Sequence, residues 1–407
     1  MNCRHCGTLL RHVFLDLGFA PPSNAYLAAS DLARPEKHYP LKVFVCHNCF
    51  LVQTADFADR ETFFNADYAY FSSTSASWLK HAEIYFGQMV ERLALTQNSF
   101  VVEIASNDGY LLKNAVARGI PCLGIEPTSG TAAAALKQNV PTFEAFFGEA
   151  LARTLAKEGT RADLIIGNNV YAHVPDINDF TAGLTRLLKP AGTITLEFPH
   201  LLNLIRHAQF DTVYHEHYSY LSLNTVKRIF ETHGLRVYDV EEIPTHGGSL
   251  RVYGCHAESG TPVSPHVHGV LKAENDAGLL EPDSYLTFQA RADSIKNAFV
   301  TFLLDAKRCQ KRVVAYGAAA KGNTLLNYAG IRPDLLPAVF DAAPSKQGKY
   351  LPGSHIPILH PEQLALFKPD YVVILPWNLK SELVEQNNRI RLWGGRFVTA
   401  IPELEVF

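Results

Sequence analysis

The chain has 407 residues, 47% of them hydrophobic and 19% charged, a composition that suits a globular protein of about two to four domains. With 37 basic and 40 acidic residues the formal net charge is −3, and nothing in that balance suggests the basic surface of a nucleic-acid or anionic-membrane binder. No apolar run approaches the roughly 18 residues of a spanning helix, and the chain opens on Cys3 and Cys6 rather than on a charged and then apolar leader. A cytoplasmic protein is therefore expected, with its seven cysteines as thiols or metal ligands rather than disulfides.

Cys3-Arg4-His5-Cys6 and Cys46-His47-Asn48-Cys49 are two CxxC knuckles. Cys3, Cys6, Cys46 and Cys49 supply four thiolates for tetrahedral zinc, as in a zinc ribbon. The competing reading is two unrelated thiol pairs. His5 and His47 lie inside the knuckles and read as bystanders. A site closed by four cysteines folds its domain and does no chemistry. Cys122, Cys255 and Cys309 have no paired spacing, and Cys122 reads as core.

Residues 50–75 end in an aromatic and polar cluster containing Tyr68, Tyr70, Phe71 and Ser72 to Ser75. A linker packed on the next domain is the simpler reading. A lid carrying the Tyr68 hydroxyl to an active site is the sharper one. An amphipathic helix follows over 78–95.

The stretch Val101 to Leu112, VVEIASNDGYLL, reads as strand, tight turn and helix, the first unit of a doubly wound α/β sheet. The strand ends in Glu103 and the turn is Ala105-Ser106-Asn107-Asp108-Gly109. A second strand, 121–125, ends in Glu126, placed to accept from a ribose diol. The turn is not GxGxxG: it has one glycine plus Asn107 and Asp108, which tolerate left-handed backbone. That argues against a dinucleotide pyrophosphate and for a nucleoside without phosphates, with S-adenosylmethionine the obvious one. An ordinary βα turn with no ligand is the alternative.

Helices are expected over 131–138 and 148–156. A buried strand over 162–167 runs into Asn168-Asn169-Val170-Tyr171-Ala172-His173. Ligands of open α/β sheets sit at the carboxyl ends of strands, so Asn168, Asn169 and His173 fall at the pocket. His173 packed on the following helix is the alternative. A helix over 179–188 and a strand over 192–198 lead to Asp211 and then Tyr214-His215-Glu216-His217. If extended, this segment puts Tyr214 and Glu216 on one face and the two histidines on the other. His215 and His217 at that spacing could also bind a metal.

A helix over 223–233 follows, and His246-Gly247-Gly248-Ser249 leads into a strand over 250–255. Residues 258–270 read as a connection and 283–311 as one long helical stretch. The α/β pattern then restarts with a strand over 312–316, a small-residue turn through Lys321 and Asn323, and strands ending at Asp341 and before Asn378. A lysine at a glycine-bearing helix N-terminus is a natural diphosphate site, although no Walker loop is present. A purely structural turn is the alternative.

DYAYFSS, EIASNDGYLL, GIEP, NNVYAHVPDINDF, YHEHYSYLS, HGGSLRVYG and YGAAAKGNTLLN, with the paired CxxC, occur in the order found in one family. The chain resembles the three-domain S-adenosylmethionine-dependent methyltransferases that alkylate carbon 3 of nucleotide-linked 4-keto-deoxysugars. The resemblance implies a zinc-binding domain over 1–75, a class I Rossmann-like methyltransferase core over 76–265, and a C-terminal Rossmann-like domain over 266–407 that holds the nucleotide-sugar. It implies His217 as general base, with Tyr214, Glu216, Tyr68 and His173 lining the sugar pocket. The two strand-end acids, the turn and the end of the third strand give the expected cofactor contacts: Glu103, Ala105, Asn107, Asp108, Gly109, Glu126, Asn168 and Asn169. Lys321, Asn323, Asp341 and Asn378 fall to the substrate. TDP is the expected nucleotide, and a monomer or small homo-oligomer the expected assembly.

The chemistry explains the residue types. C3 becomes nucleophilic only when a neighbouring ketone acidifies its hydrogen, so a base and donors to the enolate oxygen are required. Neutral histidine is ready to accept a proton at cytosolic pH. Tyr214 and His173 are the candidate donors. The rivals are a hydroxyl or non-sugar acceptor on the same scaffold, a metal enzyme built on His215 and His217, and a non-catalytic binding protein.

Overall fold

The computed structural model describes residues 1–55 and 71–407. Tyr68 lies outside the described residues. Three strands, β1 (His12–Ala20), β2 (Tyr39–Val45) and β3 (Val52–Thr54), form an antiparallel sheet next to the cysteine knuckles.

The central sheet contains β4 (Val101–Ile104), β5 (Cys122–Ile125), β6 (Thr142–Phe143), β7 (Ala162–Asn168) and β8 (Leu188–Pro199), all parallel. Its apolar runs are continuous because both faces are covered. Alternate residues serve two cores: Val102, Ile104 and Ile165 join one, while Val101, Leu164 and Ile166 join the other. The chain leaves this sheet at Ser219–Tyr220 (β9), which pairs with β3 and completes the N-terminal sheet. It returns in β10 (Leu235–Ile243) and β11 (Ser249–His256). β11 runs antiparallel between β8 and β10, giving the order β10-β11-β8-β7-β4-β5-β6. The connection direction reverses between β4 and β7, which opens a crevice at their carboxyl ends.

A second sheet follows: β12 (Val313–Tyr316), β13 (Val339–Phe340), β14 (Ile358–Leu359), β15 (Tyr371–Ile374), β16 (Arg396–Thr399) and β17 (Glu405–Val406). The order is β14-β13-β12-β15-β16-β17, parallel except for β17, with its own reversal between β12 and β15. The N-terminal segment joins the two units. Phe14 of β1 stacks on Phe288 at 4.6 Å and shares a core with Val313 and Leu326, whereas Cys3, Cys46 and Cys49 sit in the core of the central sheet.

Four elements differ from expectation. The helix after the first turn is only Lys113–Val116, because Leu111 and Leu112 are taken into the turn. Residues read as a connection contain a helix, Pro265–Asp276, capped by the Ser264 side chain and started by Pro265. The stretch over 283–311 divides into a 3-10 turn, Pro282–Tyr285, and a helix, Phe288–Arg308. Strand β10 had no clean alternation to mark it, since Val237, Tyr238, Asp239 and Val240 are all buried. Among the described residues no helix is long and apolar enough to cross a membrane.

Candidate active site

The turn after β4 has left-handed backbone at Ala105 (φ 55°), Asn107 (φ 50°) and Gly109 (φ 78°), but not at Asp108. A Cβ on Gly109 would stand 3.0 Å from Val140 and 3.2 Å from Ala135, so glycine there lets the turn pack. Glu126 accepts from the Asn107 backbone N–H at 2.9 Å and from the Thr128 N–H at 3.0 Å, which ties the first two strand ends together. Ser72 N–H donates to the Asn107 carboxamide at 2.9 Å, and Ser73 N–H to Asp108 at 3.2 Å. The segment leading into the helix Ala76–Leu93 is thus clamped on the turn.

A cavity of about 420 Å³ runs from this turn to the second sheet. Ala105, Asn107, Glu126, Asn168 and Asn169 line one end, with Phe146 and Phe147. Both polar atoms of the Asn168 side chain are buried without a partner among the described residues. An acid at a strand end, orphan amide atoms and apolar walls fit S-adenosylmethionine. Glu103, Asp108 and Gly109 do not line the cavity. Glu103 is buried beneath it, and burial first, then the nearby Glu126 and Asp108 charges, push its carboxyl well above the usual range.

In the middle of the cavity stand His173, Tyr214, Glu216 and His217. The segment is not extended. The His217 N–H closes a turn onto the Tyr214 carbonyl at 2.9 Å, so three side chains converge and His215 departs toward the Tyr39 carbonyl, 3.3 Å from its Nε2. The His217 ring lies 3.9 Å from that of Tyr214 and 4.6 Å from that of His173. Its Nδ1 donates to the Thr212 carbonyl at 2.8 Å, which leaves Nε2 with its lone pair. Burial, then His173, hold His217 well below the ordinary histidine range. Burial lowers His173 to about 4 and raises Glu216 to about 7, the latter opposed by Asn24.

The second sheet contributes Lys321 and Asn378, whose side chains meet at 2.7 Å, together with Ala319, Ala320 and Lys346. Burial lowers Lys321, and Asp211 opposes that shift. Asn323 and Asp341 lie outside the cavity lining. Asn323 donates to the Ser23 carbonyl at 2.6 Å, and Asp341 accepts from the Ala318 and Ala343 N–H groups at 2.7 and 2.8 Å. Both brace the turn. Asn24, Trp78, His246 and Lys346 line the cavity without having been singled out as site residues. Of these, only the HGGS motif at His246 carried a sequence signal.

The four cysteine sulfurs lie within 4.8 Å of one another, with Cys3–Cys49 and Cys6–Cys46 each at 3.5 Å. Tetrahedral zinc with Zn–S of about 2.3 Å needs sulfurs about 3.8 Å apart, so the cluster suits the ion. Gln53 donates to Cys3 at 3.2 Å from behind. Among the described residues these cysteines form the one group of three or more metal-ligating side chains. His5 takes no part and contacts Asn178 at 2.9 Å.

Three family models match successive parts of the chain. Residues 3–64 match a zinc binding domain, 78–240 a methyltransferase domain and 244–402 a C-methyltransferase C-terminal domain. The chain is 34% identical over 405 residues to the C-methyltransferase NovU of Streptomyces niveus, spanning 100% of this chain and 96% of that protein. Among solved structures, the PH0226 protein of Pyrococcus horikoshii OT3 is 15% identical with a TM-score of 0.38, over 49% of this chain and 100% of that one. The magnesium protoporphyrin IX methyltransferase of Synechocystis PCC 6803 is 13% identical with a TM-score of 0.34, over 44% of this chain and 79% of that one. With a full-length relative at that identity and three family domains in sequence, the chain belongs to the S-adenosylmethionine-dependent C-methyltransferases that carry an N-terminal zinc-binding domain.

Proposed function

We propose that the enzyme methylates carbon 3 of a nucleotide-diphosphate 4-keto-deoxysugar, TDP-linked, by proton abstraction and attack of the enolate carbon. The observation that carries this reading is His217: its ring is oriented by the Thr212 carbonyl and lines one cavity together with Asn107, Glu126 and the Lys321 turn. Bound S-adenosylmethionine supplies the electrophilic methyl group. Glu126 accepts from its ribose, and Asn107, Asn168 and Asn169 meet its polar edges. Glu103, Asp108 and Gly109 act by shaping the turn.

His217 Nε2 takes the C3 proton. Tyr214 and His173 hold the sugar oxygens, with Glu216 fixed by Asn24 as a further polar wall and Tyr68 as a candidate from the preceding segment. Lys321 and Asn378 face the diphosphate at the N-terminus of the helix Ala320–Tyr328, and Asn323 and Asp341 brace that turn. The domains divide near residues 75 and 265. A monomer or small homo-oligomer in the cytoplasm fits this reading, where reduced thiols remain available to zinc.

Solvent exchange tests it. Incubated in heavy water with S-adenosylhomocysteine, the enzyme should replace the C3 hydrogen of a TDP-linked 4-keto-deoxysugar by deuterium, read by NMR. A substrate that is methylated without such exchange marks a hydroxyl acceptor and overturns the carbon assignment. Calorimetry should find one S-adenosylhomocysteine and one TDP per chain. Absence of TDP binding would move the acceptor to another nucleotide or outside the nucleotide-sugars.

A further inference from the structure

The motif His246-Gly247-Gly248-Ser249 has no part in the scheme above. It forms the turn into β11, and His246 sits in the left-handed region (φ 53°, ψ 23°), a costly conformation for a residue with a Cβ. The surroundings hold it there. The Gly248 N–H donates to the Thr245 carbonyl at 2.9 Å, and the Gln209 amide donates to the Gly247 carbonyl at 2.8 Å. A Cβ on Gly247 would come 2.4 Å from Trp377, and one on Gly248 2.4 Å from Asn203. Neither position has room for a Cβ, so the turn packs closely against Trp377 and Asn203.

The result is that the His246 ring is presented to the cavity, edge-on to Trp78 at 5.4 Å. No hydrogen bond from the described residues occupies its nitrogens. Trp377, which presses on Gly247, also lies beneath Lys321, whose Nζ stands 4.7 Å from its ring centre. The lysine cation is therefore a neighbour of His246. Burial first, then that cation, lower His246 to about 4. It is a neutral ring with one N–H to give, in a place where a second base would gain nothing, because His217 already has its lone pair oriented by Thr212.

We infer that His246 is a catalytic residue whose N–H donates to the carbonyl oxygen as the acceptor enolises, an inference that rests on the proton-abstraction reading above. The C–H proton passes to His217 Nε2, the C–H electron pair forms the C=C bond, and the carbonyl π pair moves onto the oxygen. A fixed donor aimed at that growing charge stabilises it without reorganisation. A strained turn locked by two packed glycines is a means of fixing such a donor.

The test uses full-length, zinc-loaded protein with His246→Leu and His246→Gln. Three readouts are needed: deuterium exchange into a TDP-linked 4-keto-deoxysugar with S-adenosylhomocysteine bound, single-turnover methyl transfer, and calorimetry with S-adenosylhomocysteine and TDP. His246→Leu should lose exchange and methyl transfer together by about 100-fold, with both binding constants within about twofold of wild type. His246→Gln, which keeps an N–H, should fall between. If wild type exchanges and His246→Leu exchanges equally fast, this inference is overturned while the general reading stands. Weakened binding with unchanged exchange makes His246 a wall residue and also overturns it. If wild type itself does not exchange, the enolate is lost and both fall.

Discussion

Asn24, in the loop between β1 and β2, reaches into the cavity and donates through its Nδ2 to both carboxylate oxygens of Glu216, at 2.9 Å each. The zinc-bearing segment therefore does more than cover the site. It supplies the one side-chain hydrogen bond among the described residues that resists the effect of burial on Glu216.

Glu216 should make stability depend on pH. Its folded value is about 7, above the ordinary glutamate value. The sign follows: its favourable share is complete below the unfolded pKa near 4.3 and is lost as pH rises through about 7. Wild type should lose about 3 kcal/mol relative to Glu216→Gln between pH 4 and 8, read by urea unfolding. Asn24→Leu should move the midpoint of that loss to higher pH. Parallel stability curves for wild type and Glu216→Gln would refute the assignment.

His217→Asn should lower methyl transfer by at least 100-fold, the usual contribution of a positioned base. Asparagine keeps a donor toward Thr212 but has no lone pair of comparable basicity. Calorimetry should find S-adenosylhomocysteine binding within about twofold of wild type. Retained turnover would remove His217 as the base.

Glu126→Ala should weaken S-adenosylhomocysteine by 10- to 100-fold, about 1.5–3 kcal/mol for hydrogen bonds to a charged group. TDP binding, at the far end of the cavity, should not change. Equal loss of both ligands would mean that the variant has collapsed the turn through the Asn107 N–H rather than lost a ribose contact.

Cys46→Ser should abolish stoichiometric zinc, one ion per chain in wild type by elemental analysis. The thiolates sit in the core of the central sheet, so loss of the metal should cost several kcal/mol and lower the thermal midpoint of the methyltransferase unit too. A zinc-free variant with an unchanged midpoint would contradict a structural role.

What the sequence by itself determined were features carried by neighbours in the chain. Two CxxC knuckles bring paired thiolates together by their own spacing. A strand ending in Glu103 or Glu126, followed by a small-residue turn, has its geometry set by local backbone preference. The order of the α/β units and the residues of the YHEH segment were legible for the same reason. Only the tertiary structure decided what that segment does. An alternating reading separates Tyr214 from His217, whereas hydrogen bonds from His217 to the Thr212 and Tyr214 carbonyls close a turn that unites them. Asn24 and Glu216 stand 192 positions apart, and Asn323 reaches Ser23 across 300. Such contacts follow from how three units share cores, and no local propensity encodes them. Likewise, Gly247 and Gly248 announced a turn, but only the tertiary structure sets Trp377 and Asn203 against them and His246 in the cavity wall.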